Sequence, residues 1–172
     1  MKNKIFFLLI ILFNFFTNAF SEELKINAQE INLDEEKKII SFSGNVKVED
    51  DKKNLLESDN ITYKKKDKLV LSPGKTRILT SEGYQIFGTN VTFDDLNKKI
   101  FSNLPAEIID KENNKISVSM FNYEKNKNLF FSKGKIKIKE NRGNEYALSE
   151  IYIDEKKKKI AGSDIKAYLN QA

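Results

Sequence analysis

Apolar residues recur along this chain with a period of 30, at Ile31, Ile61, Val91, Phe121 and Ile151, and two positions on at Leu33, Tyr63, Phe93, Tyr123 and Ile153. Each pair leads into a charged turn beginning at Asp34, Lys64, Asp94, Glu124 and Asp154, and apolar character resumes at Ile39, Leu69, Ile100, Leu129 and Ile160. A glycine follows in three copies, at Gly44, Gly74 and Gly134. Second turns at 49–54, 80–83, 110–114 and 140–144 join one copy to the next. Each copy therefore reads strand, turn, strand, turn, and five of them fill the chain beyond residue 21.

Alternation is clearest in the second strand of each copy. Phe130, Ser132, Gly134, Ile136 and Ile138 alternate there with lysines at 133, 135, 137 and 139. Ile40, Phe42, Val46 and Val48 repeat the pattern in the first copy. One dry and one wet side are what a half-buried antiparallel strand requires, whereas a period of two scatters those residues around a helix. In the first strands the apolar phase switches midway: Ile26 and Ala28 precede Ile31, and Ile116 and Val118 precede Phe121. An extra residue in the ladder is the economical way to change face, which predicts a bulge or sharp bend near Glu30, Asn60, Asn90, Met120 and Glu150. Two copies depart from the pattern. The third carries Leu104 and Pro105 where the glycine belongs, so its strand is expected to be irregular or at an edge there. The fifth slips phase, with Ile165, Ala167 and Leu169 on odd positions, and is expected to be frayed or unfinished.

The N-terminus changes the compartment. Lys2 and Lys4 precede an apolar run of 12 residues, 5–16, then a polar stretch with Ala19, Phe20 and Ser21. That layout predicts a signal peptide over residues 1–21, with one domain over 22–172. The run would rise about 18 Å as a helix, short of the roughly 30 Å hydrocarbon core, so an anchor is the weaker reading. The chain has no cysteine, so neither disulfides nor lipid modification of a cysteine enter. Removing the segment takes the bases from 30 to 28 against 25 acids. That mild excess argues against a nucleic-acid partner and is compatible with anionic lipid.

Catalysis finds little to work with. The chain has no histidine and no cysteine, which removes the commonest general bases, the thiol nucleophile and the usual transition-metal ligands. Asp50 with Asp51 and Asp94 with Asp95 are neighbours at turns, where carboxylates point apart and are solvated. No glycine-rich phosphate loop is present. No enzyme activity, catalytic residue, metal or cofactor is expected. The lysine runs at 64–66 and 156–159 fall at the turn phase and read as solvated hairpin tips, with binding of a phosphate head group as the lesser reading.

The segments 28–34, 42–48 and 58–63, within "INAQEINLDEEKKIISFSGNVKVED" and "SDNITYKKKDKLVL", resemble the OstA-like domain of the lipopolysaccharide transport family. The resemblance spans about residues 26–169, with later copies matching in rhythm more than in letters. It implies an all-β fold, an antiparallel β-jellyroll forming a twisted open half-barrel. In such a fold core and groove share one face, so the lipid-binding groove is expected at Ile31, Leu33, Phe42, Ile61, Tyr63, Val91, Phe93, Phe121, Tyr123, Phe130, Ile136 and Ile151. The resemblance further implies a periplasmic protein that binds lipopolysaccharide and takes part in outer membrane assembly. Its partners would be other OstA-like domains reached by edge-strand pairing, or copies of itself in a head-to-tail homo-oligomer. Two kinds of member stay open, the free-standing bridge protein (LptA) and the N-terminal domain of the outer-membrane barrel (LptD); the short apolar N-terminus disfavours the anchored type (LptC). The rival from another class is an exported structural β-solenoid scaffold with no lipid ligand, which should fill its interior and cap its ends.

Overall fold

The computed structural model describes residues 25–154 and 156–170. The expected export signal, residues 1–21, lies outside them. The strands are β1 (Lys25–Asn27), β2 (Glu30–Asp34), β3 (Ile39–Glu49), β4 (Leu55–Lys64), β5 (Leu69–Leu79), β6 (Gln85–Asp94), β7 (Lys99–Ser102), β8 (Ala106–Ile109), β9 (Lys115–Val118), β10 (Phe121–Glu124), β11 (Leu129–Lys139), β12 (Glu145–Asp154), β13 (Lys159–Ser163) and β14 (Lys166–Tyr168). They form one antiparallel sheet in which each strand lies beside those nearest in sequence. Where a strand is split, as in β1/β2, β7/β8, β9/β10 and β13/β14, both pieces lie against the same neighbour.

The sheet is creased through the middle of every strand. Between the pairs Ser43–Asn60 and Val46–Ser58, β3 advances three residues and β4 two. The same mismatch recurs between β5 and β6 at Ser72–Val91 and Lys75–Thr89, and between β11 and β12 at Lys133–Glu150 and Ile136–Leu148. The bends expected near Asn60, Asn90 and Glu150 are therefore there, and β2 and β10 begin at Glu30 and Phe121 after a break at the other two positions. The extra residue, however, sits in the facing strand. Gly44, Gly74 and Gly134 take φ of 79°, 77° and 102°, which an L side chain resists, so the bulge falls where the sequence supplies glycine. In the third copy the chain leaves the ladder over 103–105, and Pro105, which has no N–H to donate, lies between β7 and β8. The fifth copy crosses the crease without a bulge: Glu150–Ser163 and Ala147–Lys166 are three residues apart on both strands. That missing residue accounts for the phase slip of Ile165, Ala167 and Leu169. The slipped segment is not frayed; it pairs as β14, wholly exposed along the sheet edge.

A bulge leaves backbone carbonyls out of the ladder, and buried serines take them up. The Ser102 hydroxyl donates to the Thr89 carbonyl at 2.6 Å and that of Ser132 to the Met120 carbonyl at 2.7 Å. Ser72 shares a hydrogen bond with the Thr76 hydroxyl at 2.7 Å. All three serines are almost wholly buried and 30 residues apart. Leaving such a group unpaired would cost about 1–3 kcal/mol.

The crease makes a graded prediction about glycine. A Cβ at Gly74 would meet nothing within 4 Å, so Gly74→Ala should cost only the left-handed backbone, about 1–2 kcal/mol. At Gly44 the same atom would also collide with the Gln29 side chain, so Gly44→Ala should cost more. Equal urea midpoints for the two variants would contradict this account of the bulge.

On either side of the crease lie two arms. The first ends in the turns at 34–39, 64–69, 94–99, 124–129 and 154–159, the second in those at 49–55, 79–85, 109–115 and 139–145. Within each rim successive turns are tied together. Lys65 N–H donates to the Lys38 carbonyl at 2.9 Å, Asp95 to Lys68 at 3.1 Å and Lys125 to Lys98 at 2.8 Å. On the other rim, asparagine side chains accept from the next turn: Asn54 from Ser81 N–H at 2.9 Å, Asn114 from Asn141 at 3.0 Å and Asn144 from Asn170 at 3.0 Å.

Candidate functional site

The two arms bring their apolar faces together. In the first arm the strand register builds an unbroken row across ten strand positions: Leu33, Ile40, Tyr63, Val70, Phe93, Ile100, Tyr123, Phe130, Ile153 and Ile160. The second arm builds its own, from Ile26 through Val48, Leu56, Ile78, Ile86, Ile108, Ile116, Ile138 and Tyr146 to Ala167. No charged side chain enters either row. A strand can supply one residue per row only because its side chains alternate, and the crease keeps both rows on the same side of the sheet.

Burial grades outward from the crease. Val46, Ile61, Val91, Phe121, Ile136 and Ile151, beside it, are at most 3% exposed. Most of the two rows nearer the rims are only half-buried and pack against that centre. Phe121 of the first arm lies against Gly88 of the second, where an added Cβ would come to 3.5 Å from its ring. Exposure thus rises from the crease, where the arms meet, toward the rims, and we read the space between the two sets of turns as the mouth of a cleft.

Among the described residues, nothing covers the two ends of the sheet: β1 and β2 have a neighbour on one side only, and so do β13 and β14. Their inward residues stand in solvent: Ile31 is 52% exposed, Ile160 70% and Ile165 57%.

All twelve residues expected in the groove lie on this inner face, in three environments. Ile61, Val91, Phe121, Phe130, Ile136 and Ile151 are buried core. Phe42, Tyr63, Phe93 and Tyr123 are half-buried. Ile31 and Leu33 are exposed at the N-terminal edge. The second arm's row was missed, apart from Ile136 beside it, although its signal was present. Ile26, Leu56, Ile86, Ile116 and Tyr146 repeat at 30 residues, as do Val48, Ile78, Ile108 and Ile138.

The outer face offers less. A concavity of about 590 Å³ on the second arm is lined by Lys47, Glu57, Arg77 and Phe87. Its charges are already matched, with Glu57 2.8 Å from Lys47 and 3.0 Å from Arg77, and Arg77 rests over the Phe87 ring. Those two cations hold the Glu57 carboxyl below its ordinary pKa, Lys47 most. At the rim of the first arm, Asp34 and Asp154 are held low chiefly by the backbone N–H groups of Lys37 and Lys157, and Asp94 chiefly by the Asn97 side chain. Among the described residues no group of three or more potential ligands could hold a metal ion. The described residues form no helix, and so none that is long and apolar enough to cross a membrane.

No protein-family model matches the chain, and no curated protein matches it. Among solved structures, it is similar to LptH, the LptA-homologous periplasmic component of the conserved lipopolysaccharide transport device from Pseudomonas aeruginosa. The identity is 14% over 86% of this chain and 95% of that one, with a TM-score of 0.36.

Proposed function

We propose that this chain is a periplasmic carrier of lipopolysaccharide, which shelters acyl chains between its two arms and takes part in outer membrane assembly. The observation that supports the reading best is the pair of unbroken apolar rows beside an open mouth. Acyl chains lying against them would leave water at a gain of roughly 0.8 kcal/mol per CH₂, while a polar head group stayed at the rims. A structural scaffold gains nothing from edges left open as those of the described strands are. A carrier that passes cargo along a series of like domains needs both, because an unpaired strand is a template for the next. Head-to-tail copies, or other OstA-like domains, are the partners this reading supplies. A free-standing bridge protein and the N-terminal domain of an outer-membrane barrel share it equally.

A photo-crosslinker at half-buried Phe93 should capture lipopolysaccharide when the protein is isolated from a producing host, and one at outward-facing Lys135 should not. Equal labelling at the two positions would remove the groove, and a protein that stays lipid-free even after lipid is added would favour the scaffold.

A further inference from the structure

The two rims carry different charge. The five turns that end the first arm hold 14 lysines against nine carboxylates, whereas the four turns that end the second hold six bases against eight. The acids do not cancel this by protonating, since hydrogen bonds hold Asp34, Asp94 and Asp154 ionised below the usual carboxylate range. Two clusters dominate the excess, 64–68 and 156–159. Read one at a time these are solvated hairpin tips. The fold aligns them: Lys65, Asp95 and Lys125 each hydrogen-bond back to the preceding turn, and the register of β11, β12 and β13 brings the fifth turn alongside, so the lysines form one ridge along one lip of the cleft.

Just inside that lip, Tyr63 and Tyr123 belong to the apolar row. Burial, with Asp95 nearby, raises the Tyr63 hydroxyl above its ordinary pKa, and the Tyr123 hydroxyl lies 3.5 Å from the Asn128 side chain in the turn. Ring inward and hydroxyl at the lip is how tyrosine sits where apolar and aqueous regions meet. From cleft to solvent the order is thus apolar row, phenol, ammonium, which is the profile of an amphiphile whose head group is anionic.

We propose that this lysine ridge holds the phosphate groups of the amphiphile whose chains the cleft shelters, so that the protein selects phosphorylated over unphosphorylated lipids; this rests on the carrier reading above. A flat anionic bilayer fits the ridge poorly. Neighbouring strands rotate by about 20–25°, so turns set two strands apart cannot all lie in one plane. A head group moving along the mouth meets them in succession.

The test is native mass spectrometry of the protein with an equimolar mixture of diphosphorylated lipid A and its enzymatically dephosphorylated form. The wild type should favour the diphosphorylated lipid. Replacing the turn lysines Lys66, Lys68, Lys156 and Lys158 with Gln should reduce that preference about tenfold, as expected for several exposed ion pairs, and leave capture of the dephosphorylated lipid unchanged. The same charge removed from the outer face, with Lys75, Lys135, Lys137 and Lys166 changed to Gln, should leave the preference intact. A wild type indifferent to phosphate, or equal losses in the two variants, would overturn the ridge assignment and leave the cleft standing. Failure of the wild type to take up either lipid would overturn both. Displacement of bound lipid by millimolar inorganic phosphate would show that the lysines hold phosphate as a free ion, and would also overturn the proposal.

Discussion

Phe121→Ala should destabilise the fold by about 3–5 kcal/mol, the cost of emptying a large aromatic site in a packed centre. The side chain is 1% exposed, its ring reaches Gly88 on the opposite arm, and it stands where β10 leaves the crease. Its loss removes contacts from both arms together. Phe131 is a useful comparison, ten residues on but on the outer face, its ring 4.7 Å from that of Tyr152. Phe131→Ala should cost nearer the ~1 kcal/mol typical of a point substitution. Urea unfolding of the two variants at unchanged slope gives the difference directly. Matching losses would mean that the sheet buries both faces alike and that no inner cleft distinguishes them.

The second large effect concerns the ends. Ile31→Asp and Ile160→Asp each place a carboxylate at a solvent-exposed edge, so each monomer should keep its stability within about 0.5 kcal/mol. If copies join head to tail, each variant blocks a different end, and neither alone should form any oligomer. Mixed together, they should form dimers and nothing longer, through the one intact edge on each partner. Burying an isoleucine in such a junction stabilises it by about 1.5–3 kcal/mol, so the carboxylate should weaken it at least tenfold. Analytical ultracentrifugation distinguishes the cases. A single variant that still dimerises would point to a like-with-like junction, and a wild type that is monomeric at high concentration would exclude self-association.

The repeat makes most of this fold legible in the sequence. Strand phase, both sets of turns and the bends follow from apolar residues that recur at 30, because a register is pinned wherever one face is buried. Pro105 correctly marked the split between β7 and β8. What escaped was which strand of each pair carries the extra residue. Phase alone reports a change of face; only the positive φ at Gly44, Gly74 and Gly134 says who makes room for it. Ser72, Ser102 and Ser132 escaped for a related reason. A serine amid apolar alternation reads as a weak position, and its purpose shows only once its partner is in place, a carbonyl for Ser102 and Ser132 and the Thr76 hydroxyl for Ser72. The twelve residues all lie on the inner face but at uneven depth, since periodicity gives the direction of a side chain and not its distance from the crease. The C-terminal phase slip looked like an ending losing its order. It is a corner built with one residue fewer.

Because every strand pairs with those beside it in sequence, the protein measures length in whole repeats. Each copy of 30 residues adds two strands, roughly 9.6 Å along the axis of the sheet. The turns that stack on one another carry the same hydrogen bonds from copy to copy, so a duplicated or deleted copy meets neighbours already shaped to receive it. The length of the sheet can then be changed in steps of one repeat, with no new interface to invent.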